Sequence, residues 1–97
     1  MTREEVLKIV SEAREKWMRA DLAEADLTRA NLTRADLAEA DLTGDDLTRA
    51  DLRWANMARA NLTEANLTEA NMAEANLRCA NLTRANLIRA DLTRADL

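Results

Sequence analysis

The most constraining feature of this sequence is a five-residue repeat that runs without interruption from Ala20 to the last residue, Leu97. Each unit reads Ala, with Asp45 as the one exception, then Asp or Asn, then Leu or Met, then two variable residues that are mostly Thr, Ala, Arg and Glu. All sixteen units have an apolar centre, which is Met at Met57 and Met72 and Leu elsewhere. So strict a phase leaves no room for a linker or a second domain within the repeat.

A five-residue period does not fit an α-helix. Five residues advance about 500° around a helix axis, so successive Leu residues would be spread over every side with no face to bury. In an extended chain, positions two apart point to the same side, so Ala and Leu face inward together. The next inward Ala comes three residues later, which requires a corner in every unit. The spacing therefore predicts a solenoid with a short extended edge and a turn per unit.

The repeat resembles the pentapeptide-repeat family over residues 20–97. The resemblance implies an all-β solenoid, a right-handed quadrilateral β-helix with four units and twenty residues per coil, and so about four coils. Residues twenty apart should then stack. Stacking predicts columns of Leu inside, and outside it predicts the pairs Arg49–Glu69–Arg89, Glu64–Arg84, Glu74–Arg94 and Glu39–Arg59.

Residues 1–19 do not follow the repeat. Thr2 and Glu5 have capping-box spacing, and apolar residues follow at helical intervals. We predict an amphipathic helix of about four turns that covers the first coil and forms one domain with the solenoid. The residues expected to pack against that coil are Val6, Val10, Ala13 and Trp17. At the other end the repeat stops in phase, so the last coil should pair with something, most simply in a two-fold, end-to-end homodimer; the alternatives are a chain truncated within a longer protein and an engineered building block.

Four residues stand out as candidate contacts: Trp54 and Ile88 point outward, and Leu92 and Leu97 lie in the last coil. Asp45 is an irregular core position, because it replaces the inward Ala after Gly44, the only glycine. Trp54 is either a contact hot spot or a cation–π partner of Arg34. The Asp/Asn ladder is expected to bond the turn backbone rather than a ligand.

The composition argues against enzyme activity and against cofactor or metal binding in this chain. There is no His, the only Cys is Cys79, and no Gly-rich phosphate loop is present. We therefore expect no enzyme activity, no cofactor and no metal site. The net charge of −4 argues against direct nucleic-acid binding, and no stretch suggests a membrane span or a secretion signal, so we expect a cytoplasmic protein.

The favoured function is a non-enzymatic scaffold with polar faces that self-associates through its C-terminal end and binds a protein partner that the sequence does not identify. The family resemblance supplies an alternative, because some members resemble DNA and bind DNA gyrase. This chain departs from those members: it is short, its centres lack Phe, and Arg residues interrupt its acidic faces. The near-invariant repeat also leaves open a designed or consensus scaffold without an evolved partner.

Overall fold

The computed structural model describes all 97 residues and contains one α-helix followed by a solenoid. Helix α1 spans Arg3–Glu15, and the solenoid is a stack of coils that we number one to four: residues 20–39, 40–59, 60–79 and 80–97. Parallel bridges join residues twenty apart, from Asp21–Asp41 to Asn76–Asp96. The twenty-residue stacking that the family resemblance implies is therefore present along the whole solenoid.

Each coil-to-coil contact uses the same backbone hydrogen bonds. The Leu47 amide donates to the carbonyl of Asn66 on the next coil at 2.7 Å, and the Asp46 amide donates back to the carbonyl of Ala25 on the previous coil at 3.0 Å. Only one residue per unit forms a bridge, so the coils contain isolated bridges rather than continuous strands. The extended edges are this short because a turn occupies the other half of each unit.

The corner in each unit is a tight turn closed by a backbone hydrogen bond from Ala to the Leu three residues earlier, for example from Ala30 to Leu27 at 3.0 Å. The last residue of each complete unit has a φ of about +60°, and only Gly44 among these residues is glycine. A single positive φ at the third turn position is the geometry of a type II turn. The next Ala comes three residues after each Leu, so a straight strand would place these two side chains on opposite sides. The turn changes the chain direction between them, and both therefore face the axis of the solenoid.

The core is aliphatic and fills the interior of the solenoid. The inward Leu and Met of coils one to three are almost fully buried, and the inward Ala residues between them are mostly buried as well. Helix α1 adds Val6 and Val10 to the same cluster, and Ala13 packs partly against it. In coil four, Leu82, Leu87 and Leu92 are only partly buried, since no coil covers them.

The start of α1 agrees with the sequence and its end does not. Thr2 caps the helix, its hydroxyl accepting the Glu5 amide while the Glu5 carboxylate accepts the Thr2 amide. The expectation that Trp17 packs on the first coil is wrong, because Trp17 is 96% exposed. The helix ends at Glu15, and the left-handed backbone of Trp17, with φ 57°, turns the chain away from the helical face. Helix α1 is neither long nor apolar enough to cross a membrane.

Candidate interaction surfaces

The Asp/Asn ladder is used to hold the turns. In unit after unit, Oδ1 of the Asp or Asn accepts the backbone amide two residues later, as in Asp46 to Thr48 at 3.1 Å and Asn66 to Thr68 at 3.0 Å. Where that later residue is Thr, its hydroxyl often donates to the same oxygen. These bonds lower the pKa of Asp46, with the Thr48 hydroxyl as the main cause. The ladder is thus a structural feature of the turns, as expected from the sequence.

Charged side chains at the corners pair along the stack in the way the columns predict. Among the pairs predicted from the columns, the shortest joins Arg49 and Glu69 at 2.8 Å. Arg89 approaches the other oxygen of Glu69 at 3.6 Å. Bonding to Arg49 lowers the pKa of Glu69. The remaining predicted pairs are also formed: Arg84–Glu64 at 3.3 Å, Arg94–Glu74 at 3.6 Å and Arg59–Glu39 at 3.8 Å.

Three further ion pairs join residues that are not twenty apart, so the stacked columns did not predict them. Arg53 forks onto Asp51 within its own unit at 2.7 and 2.8 Å, which lowers the pKa of Asp51. Arg78 reaches Asp96 on the coil above at 2.7 Å. The third pair joins Arg14 of α1 to Asp36 of coil one at 2.7 Å. Each needs a long Arg side chain to reach beyond its own column, so repeat spacing carried no signal for it.

Trp54 lies at the centre of a mixed polar and aromatic surface on coils one to three. Its ring is 5.0 Å from the Arg34 guanidinium and 5.6 Å from that of Arg53, and its indole N–H donates to the Glu74 carboxylate. The expected cation–π contact with Arg34 is present. Trp54 nevertheless remains 45% exposed. We call Arg34, Arg53, Trp54 and Glu74 the Trp54 patch.

Asp45 is the only residue with an ionisable side chain in the core. Its side chain is fully buried, its Oδ1 accepts the Ala25 amide at 2.9 Å, and its Oδ2 has no hydrogen-bond partner. Burial raises the pKa of Asp45 to about 7, a shift reinforced by the carboxylates of Asp41 and Asp21. Asp45 therefore occupies the inward position that Ala holds in the other units, and only one of its two carboxyl oxygens forms a hydrogen bond.

The far end of coil four is a second candidate surface, which we call the C-terminal face. Leu97 is 73% exposed and Leu92 is partly exposed. Eight backbone N–H groups and four carbonyls at this end of the stack have no backbone partner; the N–H groups belong to Cys79, Leu82, Arg84, Leu87, Arg89, Leu92, Arg94 and Leu97, and the carbonyls to Ala80, Ala85, Ala90 and Ala95.

The candidate contact residues do not form one site. Trp54 lies on coil two, whereas Ile88, Leu92 and Leu97 lie on coil four. Ile88 is 61% exposed and points out of the side of that coil, not out of the C-terminal face. Cys79 is exposed and free. No group of three or more Cys, Asp or Glu side chains is arranged to hold a metal ion.

Comparison with known proteins agrees with this geometry. The family model for pentapeptide repeats matches eight copies over residues 18–44, 46–78 and 69–97. A search of curated proteins gave no match. Several solved structures are similar, and all those described below are pentapeptide repeat proteins with folds that superpose on this one.

Two similar structures come from the cyanobacterium Nostoc PCC 7120. HetL, described as involved in heterocyst differentiation regulation, is 40% identical with a TM-score of 0.76 over 79% of this chain. The chain spans only 36% of HetL. The protein alr5209 is 37% identical with a TM-score of 0.84, and the match covers 93% of this chain and 73% of alr5209.

A third similar structure is AT2G44920 from the Arabidopsis thaliana thylakoid lumen. It is 39% identical with a TM-score of 0.66, over 81% of this chain and 59% of that protein. These relatives imply that the coils wind as a right-handed β-helix.

Proposed function

Because this chain belongs to the pentapeptide-repeat family, we propose that it is a non-enzymatic scaffold that self-associates through its C-terminal face. Its interior is filled by aliphatic side chains, which makes the solenoid a rigid body rather than a container for a substrate. Its outward polar side chains are largely committed to turns and ion pairs. What remains available for a partner is the C-terminal face and the Trp54 patch.

The observation that carries this proposal is the difference between the two ends of the stack. At the N-terminal end, Val6 and Val10 are buried against the first coil, and we propose that residues 1–19 act as its cap. The C-terminal face offers partly exposed Leu side chains and free backbone groups instead. An open edge of a β-solenoid is a template for pairing. A second copy of the chain, related by a two-fold axis, would cover those Leu residues.

Light scattering coupled to size exclusion tests the dimer. We expect a dimer at tens of micromolar and a monomer for Leu92→Arg, which places a charge in the face. The matched control is Ala23→Arg, which adds the same charge at an exposed outward position of coil one and should stay dimeric. Circular dichroism would check that both variants remain folded. A monomeric wild type, or a folded Leu92→Arg variant that still dimerises, would contradict the proposal.

The Trp54 patch is the second candidate surface, for a protein partner. Exposed Trp and Arg side chains are the residues most enriched among interface hot spots. The test compares proteins retained by the wild type and by Trp54→Ala. The matched control is Trp17→Ala, which removes the more exposed of the two Trp side chains. A partner that binds the wild type and all variants equally well would remove this candidate.

Mimicry of DNA, which the family resemblance raised, has less support here. A DNA mimic needs an uninterrupted acidic surface. On this solenoid, Arg side chains stack beside Glu64, Glu69 and Glu74 and offset their charge. We therefore expect no inhibition in a DNA gyrase supercoiling assay at micromolar protein, and inhibition there would favour mimicry over the scaffold.

A further inference from the structure

The two ends of the solenoid carry complementary backbone groups. The C-terminal face has eight free N–H donors and four free carbonyls. The opposite face of coil one has the reverse excess: no backbone N–H donates to the carbonyls of Asp21, Ala23, Asp26, Thr28, Asn31, Thr33, Asp36 and Ala38, and only the four N–H groups of Asp21, Asp26, Asn31 and Asp36 are free. The numbers of donors and acceptors on the two faces are therefore complementary.

This match follows from how the coils stack inside the molecule. At every junction, the Leu amide and the amide two residues later donate in the C-terminal direction, whereas only the Asp or Asn amide donates in the other. Coil four placed on coil one of a second copy would repeat that junction and form eleven bonds, leaving only the Cys79 amide and the Ala38 carbonyl without a partner. Two C-terminal faces meeting about a two-fold axis can form at most eight, because four carbonyls on each copy limit the number.

Side chains also match across such a junction. A twenty-residue step from coil four reaches coil one of the second copy, so the Leu82 and Leu87 columns would continue onto its Leu22 and Leu27. Arg84 would lie beside Glu24 of the second copy, as it lies beside Glu64 within its own chain at 3.3 Å. The stack would therefore continue with its interior and one ion pair intact, whereas Arg89 and Arg94 would lie beside the like charges of Arg29 and Arg34 of the second copy.

In this structure, the N-terminal segment occupies the face that a second copy would need. The Met1 amino group donates to the carbonyl of Asp26 at 2.9 Å, Arg3 donates to that of Asn31 at 3.1 Å, and Arg14 approaches that of Asp36 at 3.4 Å. These three carbonyls are among the eight free acceptors of coil one. The burial of Val6 and Val10 holds α1 over the apolar centre of the same face.

We propose that α1 blocks head-to-tail stacking, and that its displacement opens coil one to the C-terminal face of a second copy of this chain. This inference rests on the proposed use of the C-terminal face for self-association and specifies a different mating surface on the partner. A head-to-tail contact does not close on itself, so its product is an open filament rather than a dimer.

The first test releases α1 in the full-length chain with Val6→Asp and Val10→Asp, which put two charges against the aliphatic core. We expect the mean mass in light scattering to rise with concentration by about tenfold or more, as open-ended assembly requires. The matched control adds Leu87→Arg to the released variant and should prevent this growth. A folded released variant that stays monomeric or dimeric would overturn the proposal.

Mixing with wild-type protein distinguishes polar stacking from nonspecific aggregation. A wild-type copy can add its C-terminal face to a filament, but its own α1 then closes that end. Added wild type should therefore shorten filaments of the released variant in proportion to its amount. Assemblies whose length is insensitive to wild type would contradict head-to-tail stacking.

If the two buried charges unfold the chain, a second variant tests the same proposal. Arg3→Glu with Arg14→Glu leaves the apolar contacts in place and removes two of the donors that hold α1 on coil one. We expect the same growth at higher protein concentration, and its absence in this folded variant would count against the proposal. A monomeric wild type together with polymerising release variants would reject the dimer but keep the stacking inference.

Discussion

At the residue scale, the solenoid depends on backbone conformations that most amino acids disfavour. Fourteen Arg, Glu, Trp and Cys residues occupy the left-handed turn position, where φ lies near +60°, and Gly44 occupies the fifteenth. A side chain in that region costs about 1–2 kcal/mol relative to glycine. The sequence predicted a corner in each unit but not its conformation, because these residue types carry no turn signal of their own.

Arg29 offers a direct test of that strain, since it forms no ion pair and stacks below the like charge of Arg49. We compare Arg29→Ala, which removes the charge, with Arg29→Gly, which also removes the Cβ atom. We expect Arg29→Gly to unfold at higher denaturant, with about 1 kcal/mol more stability than Arg29→Ala. Equal stabilities in urea titrations would mean that the left-handed turn is not strained.

Asp45 was recognised from the sequence as an irregular core position, but its ionisation follows from burial. Its pKa of about 7 in the folded state lies above the ordinary value of 3.8, so the folded protein binds the extra proton between these pH values. The contribution of Asp45 to stability is therefore full below pH 4 and is lost as pH rises through 7. The other Asp residues with shifted pKa values, such as Asp46, change in the opposite direction.

The effect of Asp45 can be measured as the difference in unfolding free energy between the Asp45→Ala variant and the wild type. Asp45→Ala restores the repeat, and we expect its stability relative to wild type to increase from pH 4 to pH 8 by at most about 4 kcal/mol. Asp46→Asn is the matched control, because the neighbouring carboxylate is exposed and its pKa is lowered. A relative stability of Asp45→Ala that does not change with pH would show that Asp45 remains ionised in the folded protein.

At the element scale, the sequence specifies α1 better at its start than at its end. Thr2 and Glu5 form the capping box that their spacing predicts. The apolar periodicity continues to Trp17, yet the helix stops at Glu15 and Trp17 is solvent-exposed. Helical spacing reports which residues could share a face and does not report where the chain must leave the helix to enter coil one.

Two substitutions separate the packed part of this element from the exposed part. Val6 is fully buried and Trp17 is 96% exposed. Val6→Ala should cost about 2 kcal/mol of unfolding free energy, from two buried methyl groups and the space they leave. Trp17→Ala, although it removes a far larger side chain, should change stability by less than about 0.5 kcal/mol. A larger loss for Trp17→Ala than for Val6→Ala would contradict the placement of α1.

At the scale of the whole molecule, the coil stack and its outward ion-pair columns could be predicted because the family resemblance implies four five-residue units per coil. Identical units give identical junctions, and every column follows from a twenty-residue step. The ion pairs of Arg14 and Arg78, by contrast, depend on side-chain reach across columns. The excess of donors on the C-terminal face required the backbone coordinates.

The stack also predicts a gradient of packing energy along its axis. Leu47 has coils on both sides and is fully buried, whereas Leu97 is 73% exposed. Leu47→Ala should destabilise the protein by about 2–5 kcal/mol. Leu97→Ala, which removes the same atoms from the C-terminal face, should cost less than about 1 kcal/mol in a monomeric sample. Urea unfolding of both variants would measure the difference, and equal losses would contradict the gradient.

The most direct test of the account is a set of nuclear Overhauser contacts between backbone protons in the repeat. Twenty-residue coils predict contacts between bridged positions such as Asp46 and Asn66 throughout residues 20–97, with helical contacts confined to Arg3–Glu15. A run of helical contacts between residues three apart within the repeat, or the absence of contacts twenty residues apart, would contradict the stacked solenoid.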